Sequence, residues 1–263
     1  SWRGIFWHRN HTGNIFAFFN MLFLLRFIFD SPSLLRKIFF GGAYVISAFW
    51  VFKSNSATGV IVFLVLNIAT VLGYLWLKWR DDLLPWHYYV FVGTNILALG
   101  ILLTNLEFFF GILGRSANMT GRTPLWLDLL ENVWSRRPWL GYGYGALWMQ
   151  ADFREVIGAR LGWERFFPHF ADNGFLDILL NLGGLGLLLF LGVFLSLGWQ
   201  SIKNLRSLHR WIDLLPLMIF IYLFFANLAY SFFLEFEQML WLIMVSMIFA
   251  LSAKKSEIVI HKE

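Results

Sequence analysis

The sequence predicts an all-α fold: a polytopic bundle of about seven transmembrane helices with a long extracytoplasmic loop bearing short amphipathic helices. Three observations predict it. Hydrophobic residues make up 59% of the chain and charged residues only 14%, where a soluble domain carries about 25% charged residues. The apolar residues fall in runs close to the roughly 20 residues that cross a bilayer core of about 30 Å. No stretch alternates polar and apolar residues with the period of a strand. The absence of Cys excludes disulfides and thiolate metal sites. The net charge of +5 is scattered among loops rather than gathered in a stripe, which argues against nucleic acid and for anionic lipid or a phosphate-bearing substrate. The chain starts Ser1-Trp2-Arg3, without Met or signal peptide, and reads as the C-terminal part of a longer protein.

The elements follow in order. Runs at 13–29, 38–53, 57–77 and 86–106 predict four spans, so residues 1–106 form a first membrane block. Residues 107–173 form a loop region, and runs at 174–199, 212–230 and 236–253 make 174–263 a second membrane block. Basic residues of short loops mark the cytoplasmic side. Arg26, Arg36 and Lys37, then Lys78 and Arg80, then Lys203, Arg206 and Arg210, then Lys254, Lys255 and Lys262 alternate consistently with these spans. The opposite short segments hold Arg3, Arg9 and Lys53. Long loops translocate largely regardless of charge, so the arginine-bearing 107–173 segment is expected outside, in a periplasm.

Within it, "GRTPLWLDLLENVWSRRPWLGYGYG" (121–145) differs from its greasy surroundings. Thr123 suits an N-cap and Pro124 the first helical turn. Leu125, Trp126, Leu129, Leu130, Val133 and Trp134 form one apolar stripe opposite Asp128, Glu131 and Asn132, an amphipathic helix expected at the membrane interface. Arg122 precedes that helix, where N–H groups and dipole favour an anion and a guanidinium fork completes a phosphate clamp. Its alternative is snorkelling to lipid headgroups. Gly141, Gly143 and Gly145 predict a tight turn, leaving Tyr142 and Tyr144 to stack on a sugar or sit at the interface. No βαβ unit surrounds them, so they are no dinucleotide fingerprint.

"FPHFADNGFLDILLNLGGLG" (167–186) starts the fifth span. Asp172 or Asn173 caps it. Asn173, Asp177 and Asn181 recur every four residues on one helical face, and a charge inside a span costs about 2.5–3.5 kcal/mol unless it meets protein or a wet cavity. Gly183, Gly184 and Gly186 allow close helix packing. His169, of a residue type that titrates near neutrality, is a candidate base. Asn227, Ser231 and Glu235 line the other outer hairpin. Arg3, His8, Arg9 and Asn10 come from the N-terminal outer segment, so topology gathers Arg3, Arg122, His169 and Asp172 on one face.

"RGIFWHRNHTG", the "KSNSATG" turn, "GRTPLW…RRPWLGYGYG" and "DNGFLDILLNLGGLGLLLF" together resemble the O-antigen ligase/polymerase superfamily of bacterial surface polysaccharides, and its exopolysaccharide polymerase branch in particular. The resemblance spans nearly the whole chain. It implies a multi-pass protein of the bacterial inner membrane with its active site facing the periplasm. It implies an inverting, metal-independent glycosyltransferase without a cofactor. The donor would be a glycan on undecaprenyl diphosphate, and the acceptor a second lipid-linked glycan or lipid A-core; other polysaccharide-assembly proteins are further expected partners. By motif, the diphosphate-binding arginines carry over to Arg3 and Arg122, and Asn10, Asn173 and Tyr142 join the glycan-binding set. The family's histidine base commonly stands directly before the Asn of an "HNGYLD"-like segment; here Asp172 holds that place and His169 lies three residues earlier, so either is the expected base. The competing expectation is a transporter or flippase of a lipid-linked saccharide, whose polar groups would crowd the midplane.

Overall fold

A computed structural model describes residues 8–29, 33–79, 93, 122–163, 168–204, 211–233 and 241–250. Among them all regular structure is helical, as expected. Four helices are long and apolar enough to cross a membrane: α1 (Arg9–Phe29), α2 (Leu34–Lys53), α3 (Ala57–Trp79) and the 31-residue α7 (Gly174–Asn204). Between α3 and α7 come α4 (Arg122–Asp128), α5 (Ala146–Met149) and α6 (Ala151–Arg160). A single 3-10 turn, Trp211–Leu214, leads into α8 (Leu215–Leu228), and a short apolar helix α9 covers Trp241–Ala250. The expected span at 86–106 lies outside the described residues. The chain is a multi-pass membrane protein, divided into two compact units, Ser1–Gly121 and Arg122–Glu263.

In the first unit α1 packs on both α2 and α3. Ser33 caps α2, its hydroxyl accepting from the N–H of Arg36 at 3.4 Å. Only Ser47 and Val51 of α2 are buried, so most of that helix leaves its side chains exposed or half-exposed. Near the α2–α3 turn, α1 and α3 cross so closely that a Cβ on Gly59 would stand 2.6 Å from Gly13 Cα, the small-residue contact that draws apolar helices together. Further along, amides hold the three helices. Asn20 Nδ2 donates to Tyr44 O and Ser47 Oγ, both at 2.9 Å. Asn67 Nδ2 donates to Asn20 Oδ1 at 3.1 Å and Tyr44 Oη to Asn67 Oδ1 at 3.0 Å.

The second unit is arranged about the N-terminal part of α7. This helix is interrupted at Gly183, whose φ of 68° and ψ of −173° are not helical. Seven of the ten residues from Gly174 to Gly183 are buried, against four of those that follow. Leu176 and Leu180 from this N-terminal part join Leu125, Leu129 and Val133, Leu147, Ile157 and Ala171 in one apolar cluster. That cluster corrects the expected amphipathic helix in three ways. Its stripe packs on protein, with Trp126, Leu130 and Trp134 also against the cluster. Its backbone leaves the α geometry after Asp128 for a π turn at Leu129–Val133 and a 3-10 turn at Trp134–Arg136. Asp128, expected on the polar side, is instead buried and paired with Arg160 at 2.7 Å. Thr123 and Pro124 lie inside the first turn, so Thr123 is not the cap.

Candidate functional site

The break in α7 frees backbone groups that cannot stay unpaired in an apolar setting. The turn at 138–145 supplies their partners. The N–H groups of Tyr142 and Gly143 donate to Leu180 O at 3.0 Å and Asn181 O at 2.8 Å. In the other direction, Gly184 N donates to Pro138 O at 2.7 Å and Leu185 N to Trp139 O at 3.2 Å. Asn181 adds a side-chain bond, its Oδ1 accepting from Gly145 N at 2.8 Å. This splice explains the glycines. Gly141 and Gly183 both have positive φ, and a Cβ on Gly141 would lie 2.6 Å from Asn181 carbonyl atoms. The tight turn expected of Gly141, Gly143 and Gly145 is present, and all three take left-handed φ. The close partner of Gly183 is this turn rather than another helix.

At the top of α7, Asn173 is the cap: its Oδ1 accepts from the N–H groups of Phe175 and Leu176 at 3.0 and 3.1 Å. One turn in, Asp177 is 3% exposed and gathers donors. Trp148 Nε1 donates to its Oδ1 at 2.7 Å, and Ala171 N lies 3.2 and 3.1 Å from its two oxygens. Ser231 donates its hydroxyl to Oδ2 and accepts from Asn173 N at 3.1 Å. Trp126 Nε1 grips Ala171 O at 2.7 Å, and Gly174 N donates to Tyr230 O at 3.2 Å. The polar face of Asn173, Asp177 and Asn181 therefore lines protein and anchors the backbone on both sides of Asp172.

Asp172 itself has φ 56°, a left-handed conformation that a short polar side chain tolerates. Its carboxylate Oδ2 accepts from Arg122 Nε at 3.2 Å. Arg122 is 9% exposed. Among the described residues its terminal nitrogens have no hydrogen-bond partner. The ion pair holds the guanidinium through Nε, and the terminal nitrogens form the fork that suits a phosphate or diphosphate. His169 is exposed in the bend three residues before Asp172.

The other expected residues fall differently. Tyr142 donates its hydroxyl to Val133 O at 2.9 Å and stacks under Arg137, whose guanidinium carbon is 5.2 Å from the ring centre. It is a strut of the turn. Asn10 belongs to the first unit, buried, with Oδ1 accepting from Ser56 Oγ at 2.9 Å. Arg3 and Glu235 lie outside the described residues. Trp148 and the Asp128–Arg160 pair carry the site's architecture and had no local sequence signal, whereas Ser231 belongs to the polar line read from the sequence. Asn227 shares their work, its Oδ1 accepting from Phe232 N at 2.9 Å.

Two comparisons bear on this arrangement. Residues 42–191 match the family described as O-antigen ligase. Over 185 residues the chain is 32% identical to the exopolysaccharide production protein ExoQ of Rhizobium meliloti (strain 1021), covering 65% of this chain and 40% of that relative. The chain thus spans well under half the length of the curated relative it matches. No solved structure matches it.

Proposed function

The chain belongs to the O-antigen ligase family, and from that premise we propose that it serves a membrane glycosyltransferase that moves a glycan from undecaprenyl diphosphate to an acceptor hydroxyl. The acceptor is a second lipid-linked glycan, making the protein a polymerase of the exopolysaccharide type; lipid A-core, the ligase acceptor, is the next choice. The relative's name, exopolysaccharide production protein, favours the first. The reaction is inverting and metal-independent, at the periplasmic face of the inner membrane.

The observation that carries this reading is the Arg122–Asp172 pair, which holds a guanidinium through Nε and, among the described residues, makes no bond to its terminal nitrogens. In the reaction, a base removes the proton of the acceptor hydroxyl and its oxygen attacks the sugar's anomeric carbon from the face opposite the diphosphate. The bond from that carbon to the phosphate oxygen breaks, and undecaprenyl diphosphate departs with the bonding electrons. Arg122 binds the leaving diphosphate, with Arg3 as its expected second arginine. Asp172 holds Arg122, so His169, exposed on the same turn, is the better candidate for the base. Asn173 positions the turn and Tyr142 supports it, while Asn10 is the first unit's candidate for the glycan. A preorganised charge aimed at the developing anion is worth about 10²–10³ in rate.

The test uses the purified full-length protein with an undecaprenyl-diphosphate-linked glycan. Arg122→Ala should lose glycan joining by about 10²–10³-fold while the protein still inserts and purifies; undiminished joining sinks the reading. The break at Gly183 is the one observation that favours a transporter, since carriers use interrupted helices at their sites. Glycan joining in detergent, where no second compartment exists, separates the two.

A further inference from the structure

We infer that the turn at 136–141 is seated in the membrane, with Trp139 and Leu140 in the lipid and Arg136 and Arg137 against the phosphates of an anionic bilayer. Helix length is the first ground. At 31 residues α7 exceeds the roughly 20 that a bilayer core requires, and its excess lies at the outer end, where residues 174–181 are wrapped by protein. The break at Gly183 is where wrapping stops: Leu185 is 47% exposed, and Leu188 and Leu189 more so.

The turn is fixed to this level by backbone. Gly184 N and Leu185 N donate to Pro138 O and Trp139 O, so Trp139 and Leu140 stand beside the first turn of the lipid-facing helix. They are 66% and 75% exposed, a continuation of the apolar surface that begins at Leu182 and Leu185. The two arginines immediately before Pro138 are also exposed. The opposite end of α7 repeats the pattern, with exposed Trp199 stacked 5.1 Å under Lys203. From Gly184 to Lys203 the helix rises about 28 Å at about 1.5 Å per residue, close to the hydrocarbon thickness of about 30 Å. Aromatic rings with basic neighbours at both ends of one span are the marks of the two membrane interfaces, and anionic headgroups attract the basic pair.

These 263 residues hold no Cys, so a spin label on Leu140→Cys is unique among them, and any Cys elsewhere in the full-length protein is replaced by Ser. The full-length protein is reconstituted in phosphatidylcholine vesicles with and without phosphatidylglycerol, and the label's accessibility to oxygen and to a nickel chelate gives its depth. Labels at Leu185→Cys and Glu131→Cys give the lipid and water references. The Leu140 label should favour oxygen and lie within about one helical turn, roughly 5 Å, of the Leu185 label. Preference for the nickel chelate overturns the inference by placing the turn in water. Shielding from both agents overturns it too, because protein then covers the turn. A Trp139→Cys label repeats the measurement should the first fail to fold. Arg136→Gln with Arg137→Gln should move the Leu140 label outward only in vesicles containing phosphatidylglycerol; no shift there refutes the headgroup contact. None of these readings depends on glycan transfer.

Discussion

The polar residues inside α1–α3 and those around Asp172 are equally buried and equally well bonded, yet they serve opposite ends. In the first group Asn20, Asn67 and Tyr44 satisfy one another across three helices. In the second, Asp177, Ser231, Trp126 and Asn173 satisfy backbone groups on both sides of one residue, and the outcome is a fixed carboxylate, Asp172, that holds the Arg122 guanidinium. Burial and bonding alone therefore do not mark a site in a membrane protein. What distinguishes the second group is the charged pair it holds in place.

Substitutions can break this contrast, and the largest effect belongs to the site. His169→Ala should lower kcat for glycan joining by about 10²–10⁴-fold with little change in thermal unfolding. If kcat survives while Asp172→Asn removes it, the base is Asp172. Next comes the splice between the two parts of α7. Gly183→Ala should cost about 1–3 kcal/mol for a backbone region that is essentially glycine-only, and about 1–3 kcal/mol more for crowding the turn. Thermal unfolding in detergent would read it against Gly192→Ala, whose added Cβ meets nothing within 4 Å and should leave stability unchanged. Asn67→Ala should cost about 0.6 kcal/mol, at most about 1.7, and leave the joining rate alone; a lost rate would erase the distinction between the two groups. Smallest is Ser33→Ala, about 0.5 kcal/mol for a helix cap, since its bond is long at 3.4 Å.

Much of this was legible in the sequence because it is periodic or local. Apolar runs announce the helices, and the recurrence of Asn173, Asp177 and Asn181 announces a shared face. The three glycines of "GYGYG" announce a turn. What stayed hidden depends on pairs far apart in the chain. Ser231 meets Asp177 across 54 positions and Arg160 meets Asp128 across 32, and no local pattern links them. The π turn at Leu129–Val133 was invisible for a different reason. A stripe spaced for an α-helix predicts an uninterrupted helix, whereas packing on Leu176 and Leu180 rewards one slipped hydrogen bond.

The splice at Gly183 also bears on biogenesis. A transmembrane segment ordinarily arrives self-sufficient, every peptide group paired along its own axis. This one is completed by residues synthesised some forty positions earlier, at 138–143. Those residues must be in place before the helix that follows can finish, so the turn acts as an assembly template. Deleting that turn should strand the helix half-built and expose it to membrane quality control.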